Sequence, residues 1–233
     1  MDGKKGFGHV EAIISFVIFI AFLVFAFSFF SPFQSGRTLT SSLDYAWREV
    51  AEATKIDLEI YSVYITNPSA PSLVTIMIPS SPSGINASVE DGNGVSLVSY
   101  TDSIGVHFQK PVNNFVRIKF AEDFVKGISI NGTPLVNSEY VVSSSEIQKT
   151  FSEKKLLDIN GSYYSNYSVL KTQFNLPNRV NFGFAVKFSE GLEIVASKQI
   201  PENIEVLSKN DRVAVIRISN GTVEYADVRV FVW

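Results

Sequence analysis

The chain has 233 residues, with 23 acidic against 20 basic side chains for a net charge of −3, and no cysteine. That length holds one large domain or two small ones beside any anchor, and the mild acidity lacks the basic stripe of a nucleic-acid binder. Without cysteine there are no disulfides, thiolate metal sites or thiol nucleophiles, so any part outside a membrane holds together by packing alone.

The N-terminus carries the strongest signal. Residues 12–30 read AIISFVIFIAFLVFAFSFF, with no charge and only two serines in 19 positions. As a helix this run covers about 28 Å, close to the hydrocarbon thickness of a bilayer. A core helix of a soluble domain shows a polar face, and this one has none. Lys4 and Lys5 precede the run and only Arg37 follows it closely. The positive-inside bias therefore places the N-terminus in the cytoplasm and the residues after about 34 outside, on a single-pass cell-membrane anchor. Two general readings fit, a signal anchor and a cleaved secretory signal. Against cleavage, the small-x-small triplet Ala26-Phe27-Ser28 lies inside the apolar run, which continues into Phe29 and Phe30.

A more specific pattern lies just upstream. The order Lys4-Lys5-Gly6-Phe7-Gly8-His9-Val10-Glu11, followed by a long apolar helix, resembles the class III leader of type IV prepilins and the pilin-like proteins of archaea. The resemblance covers about the first thirty residues. It implies a cut after Gly6 by a prepilin-type peptidase, Phe7 as the mature N-terminus, and Glu11 as the fifth mature residue. The physics of the pattern is consistent with that. Glycine admits the backbone to a protease without a side chain in the way. A carboxylate four residues beyond a new free amine can neutralise the amine of a neighbouring subunit, which sets register because a buried charge is costly unless paired. The general reading of Glu11 is an acidic residue one turn into a helix, where the macrodipole favours it. The chain departs from the family at Gly8 and His9, and at Pro32 and Gly36, which interrupt the pattern of a long stalk.

Further along, residues 31–36 read as the exit from the membrane, and a second helix is expected over about 42–54. There Leu43, Trp47, Val50 and Thr54 share a face, with Asp44, Arg48, Glu49 and Glu52 away from it. The pilin resemblance implies that such a helix packs on the ectodomain sheet. From residue 57 the texture is that of strands. Residues 57–66 (DLEIYSVYIT) and 72–78 (SLVTIMI) alternate and are rich in β-branched and aromatic side chains. Turn chemistry recurs at Asp91-Gly92-Asn93-Gly94, Asn131-Gly132, Asn160-Gly161, Ser189-Glu190-Gly191 and Asn220-Gly221. The last joins RVAVIRIS to TVEYADVRVFVW as a closing hairpin. Residues 143–159 are less regular and predict a short surface helix. The expected fold is thus an N-terminal transmembrane helix and a mainly-β, antiparallel sandwich-like ectodomain with one or two short helices. Its parts are a basic leader (1–6), the apolar helix (7–33), a connector with an amphipathic helix (34–56), a β module (57–142), and a second β module or continuation of the same sandwich (143–233).

Five N-x-S/T sequons stand in the expected exterior part, at Asn86, Asn131, Asn160, Asn166 and Asn220. Signals for chemistry are otherwise missing. The only histidines are His9 and His107, so a zinc or copper site would have to come from carboxylates. A Ser-His-acid triad could use only His107, which sits in a strand-like context with no Gly-x-Ser-x-Gly turn. No phosphate-binding or dinucleotide-binding glycine loop occurs, and Asp91-Gly-Asn93-Gly lacks the later ligands of a calcium loop. The sequence predicts no enzyme and no cofactor or metal. It predicts a minor or adhesive pilin-like subunit of a surface filament or its assembly complex, partnered by similar subunits. The alternative is an unprocessed anchored β-sandwich that contacts the cell-surface layer or another envelope protein.

Overall fold

The computed structural model describes residues 7–78, 84–218 and 221–233, with the backbone alone for 7–9 and 28–38. Gly6 and Asn220 lie outside the described residues.

One helix, α1 (Phe7–Thr54), runs unbroken for 48 residues, about 72 Å at the usual rise. The expected exit at residues 31–36 and the separate helix at 42–54 are corrected by this continuity. Its two halves meet different surroundings. None of the residues of Val10–Phe27 is buried. Toward the other end Leu43, Ala46, Val50, Ala51 and Thr54 are buried. That face is the one read from the spacing of Leu43, Trp47, Val50 and Thr54. Thr54 closes the helix by donating its hydroxyl to the Val50 carbonyl at 2.7 Å.

The chain passes directly into β1 (Lys55–Ile65), then β2 (Leu73–Ile76), β3 (Asn86–Asp91), β4 (Ser96–Leu97), β5 (Ser99–Thr101), β6 (Val106–Gln109), β7 (Phe115–Ala121), β8 (Thr133–Pro134) and β9 (Tyr140–Ser152). Two helices follow, α2 (Glu153–Ser165) and α3 (Tyr167–Gln173), and then β10 (Phe182–Phe188), β11 (Glu193–Ala196), β12 (Leu207–Ile216) and β13 (Val223–Val232). A nine-stranded sheet is ordered β11-β10-β13-β12-β9-β1-β7-β3-β4, and a four-stranded sheet is ordered β5-β6-β2-β8. The fold class read from the sequence stands: an apolar N-terminal helix and a mainly-β body with short helices.

The large sheet carries two kinds of cover. Over β1, β7 and β3 the small sheet closes a sandwich, with Val63, Ile65, Val74, Phe108, Val116 and Ile118 in its core. Over β10 and β13 the cover is helical. The last turns of α1 together with α2 and α3 bury Leu156, Tyr163, Phe182, Phe184, Val228 and Val230. Gly183 is required there because a Cβ would sit 2.6 Å from the Phe231 ring. The two halves share the sheet at a narrow seam, where β12 and β9 pair in parallel through only Val215–Phe151 and Ile216–Ser152. A residue boundary at 142/143 falls inside β9.

Two turns follow their sequence signals, and the last hairpin is shown by its strand pairing. At Asp91 the carboxylate accepts from the N–H of Asn93 and of Val95, both at 2.9 Å, and Gly94 takes φ +82°. Gly191 closes the β10–β11 hairpin, and Val223–Ile216 begins the pairing of the last one. Two other readings are corrected. Residues 143–152 are strand, with the helix starting at Glu153, and Asn160-Gly161 lies inside α2 rather than at a turn. The stretch SSSEIQKTF alternates weakly, but β1 pairs along its whole length and fixes it as strand. Ser152 then caps α2 through its side chain to the Lys155 N–H.

Candidate functional site

The largest chemically distinct surface is the free half of α1. Between Val10 and Phe27 the exposed side chains include Ile13, Phe16, Val17, Ile18, Phe22 and Phe25. The helix there is long and apolar enough to cross a membrane. Glu11 is the acidic residue of the described helix closest to its start, exposed one turn after Phe7.

Rigid seating of this helix comes from the opposite half. Lys209 on β12 contacts Asp44 at 3.0 Å and stands over the Trp47 ring at 5.7 Å. Ala46, fully buried, lets the helix approach the sheet closely. Because α1 is continuous, the apolar half and the docked half belong to one helix.

The seam between the two halves of the sheet is held by a buried ionic cluster that no sequence signal announces. Arg217 follows β12. Its Nε donates to Glu153 at 3.1 Å, its Nη1 donates to Glu224, and its guanidinium lies 4.3 Å from the Phe188 ring centroid. Glu153 also accepts from the Ile218 N–H at 2.7 Å. Burial acts to lower the Arg217 pKa, but the hydrogen bonds with Glu224 and Glu153 outweigh it and hold the group above its ordinary value. Beside it, the Ser152 hydroxyl meets the Asp123 carboxylate. These residues are scattered in sequence, and only the crossing of β9 with the β12–β13 hairpin brings them together.

His107 lies on β6 and is buried, as its strand-like context predicts. The Gly132 N–H points at Nδ1 from 3.2 Å, which makes that nitrogen the acceptor and leaves the proton on Nε2. Nε2 faces the Asp102 carboxylate at 3.0 Å, and the Thr75 hydroxyl lies 2.8 Å from Nδ1. The His107 imidazole beside it, then the Ile104 N–H, hold the Asp102 carboxyl below its usual range. The order acid–imidazole–hydroxyl has the outline of a nucleophilic triad. Its hydroxyl is 2% exposed, however, so Thr75 has no open side for a substrate. The cluster ties β2, the β5–β6 turn, β6 and the segment just before β8 together. Asp102 and Thr75 were missed from sequence. The Asp-x-x-Gly turn at Asp102 was the available signal, since its carboxylate caps the N–H groups of Ile104 and Gly105.

The sequons divide. Asn131 and Asn166 are exposed. Asn86 is half-buried on β3 and donates its amide to the Phe124 carbonyl at 2.8 Å, and Asn160 is half-buried within α2. Among the described residues no three His, Asp or Glu side chains are grouped to hold a metal. No protein-family model, curated protein or solved structure matches the chain.

Proposed function

We propose that this protein is a membrane-anchored structural subunit of pilin-like type, with its N-terminus cytoplasmic and its β body outside the cell. The single observation that carries the reading is the division of α1. One unbroken helix has an apolar half free of the body and a second half docked on a sheet. An anchor that only tethers a domain has no need of a rigid connection to it. A helix that packs with copies of itself while presenting a body at a fixed angle does. Lys4 and Lys5 support the orientation. The Gly6-Phe7 step supports processing by a prepilin-type peptidase, with Glu11 then neutralising the new amine of a neighbour. Size favours a minor or adhesive subunit. Enzymatic activity has no support in the geometry of His107. Among the described sequons, Asn131 and Asn166 are the exposed ones and the better placed to carry glycans.

Glu11→Gln tests the assembly role. The expected result is a chain that still fractionates with membranes but no longer cross-links to its own kind or to related subunits. Unchanged cross-linking in that variant would sink the role given to Glu11. The second reading, an unprocessed anchored module that contacts the surface layer or another envelope protein, is favoured by the size of the β body. It keeps Lys4 and Lys5 on the chain.

A further inference from the structure

The outer edges of both sheets are blunted. β4, β5, β8 and β11 are two, three, two and four residues long, too short to template another strand. The long free edge is inside the sheet order. β9 pairs with β1 over its whole length, but with β12 only at Phe151 and Ser152. On that side the backbone from Val141 to Lys149 has no strand partner among the described residues, a run of about 30 Å. No turn or loop hydrogen bond of the described backbone reaches it either. Usual guards are sparse. The run VVSSSEIQK has no proline, one acid and one terminal lysine, and it exposes Val141, Val142 and Ile147, the last by 68%. Across the gap the free edge of β12 is the guarded one, with Lys209, Asp211 and Arg212.

Beyond the seam the two strands separate, and a cavity of about 290 Å³ opens between them. Trp47 and Ala51 of α1 line it with Phe151, Val213 and Ala214, and the charged Lys55, Lys149 and Asp211 complete the lining. That is room for a single apolar side chain.

We propose that this notch is a strand-addition site for an extended segment of another polypeptide, hydrogen-bonded along β9 with one apolar side chain anchored against Trp47 and Phe151. Unpaired N–H and C=O groups in a row recognise extended backbone and little else. A second copy offering its own β9 is disfavoured because each β9 lies within its own notch, facing its own β12. A single unfolded segment enters where a whole sheet does not. The site is independent of processing at Gly6 and of the apolar half of α1, since only the docked half of that helix lines it.

Absence of native cysteine allows single reporters on the full chain in its own membranes. Ile147→Cys and, separately, Val141→Cys would carry a benzophenone, and the cross-linked peptides would be sequenced. Hydrogen exchange over 141–149 would be compared between native membranes and the chain purified in detergent. The expected result has two parts. The two reporters reach one segment of a different polypeptide at points about six residues apart, the mark of strand pairing. The outward amides of β9 exchange about ten-fold or more slowly in membranes. Adding Ile147→Lys to the Val141 reporter should abolish the adduct, and the exposure of Ile147 keeps that change from unfolding the chain. Adducts to a second copy, adducts scattered without register, no adduct, or equal exchange in both states would each overturn the proposal.

Discussion

Arg217 is the residue on which the two halves of the sheet depend most. It is buried between two carboxylates from different elements, Glu153 and Glu224. Removing the cation leaves both carboxylates uncompensated, which typically costs about 3–5 kcal/mol. Arg217→Met should therefore lower the denaturation midpoint of the chain in detergent and loosen the β12–β13 hairpin tip first. An unchanged midpoint would mean the cluster is not holding the seam. Asp102 gives a pH signature. Its carboxyl is depressed in the folded state, so its contribution is present above the ordinary carboxylate value of about 3.9 and is lost as pH falls through the folded value. The stability profile of Asp102→Asn should be flatter than that of the parent on the acid side, and coincident acid limbs would contradict the assignment. At this scale little was legible in sequence. His107 could be placed in a strand by its neighbours, but its partners come from β2 and from turns on either side, and Arg217 meets Glu153 across 64 positions of chain.

Elements were more readable where local signals and tertiary pairing agree. The closing hairpin, the Asp91 turn and the docked face of α1 all follow from turn residues or from a 3.6-residue spacing. Misreadings came where breaker or irregular composition did not interrupt an element. Pro32 and Gly36 argue for a break, yet the helix is continuous through them. The serine-rich start of β9 reads as irregular, and it is strand because β1 supplies a full partner. Asn160-Gly161 carries turn chemistry but sits in a helix whose Leu156, Ile159 and Tyr163 are buried in the core. Docking of α1 is the element-level claim with most consequence. Val50 is 1% exposed in that contact, so Val50→Asp buries an unpaired carboxylate. The variant should stay in the membrane while its β body becomes sensitive to limited proteolysis after Thr54. Protease resistance equal to the parent would show that the helix is not held by this face.

For the molecule as a whole, the arrangement of charge and apolar surface has a consistent logic. On the face of the large sheet that the helices leave open, Glu193, Lys187, Asp227 and Arg212 line up across four adjacent strands with alternating sign, which keeps that surface wet and unattractive to other sheets. Apolar surface is instead concentrated on the free half of α1. Sequence revealed that half from its composition, and the β character of the rest from alternation and turns. It did not reveal that one sheet spans both halves, because the seam consists of two residue pairs and strand order leaves no local trace. The central claim is that the free half of α1 belongs to a processed, pilin-like subunit. Intact-mass and N-terminal analysis of the protein from its native membrane tests it most directly. A processed subunit begins at Phe7, and a chain that retains Lys4 and Lys5 is an unprocessed anchor.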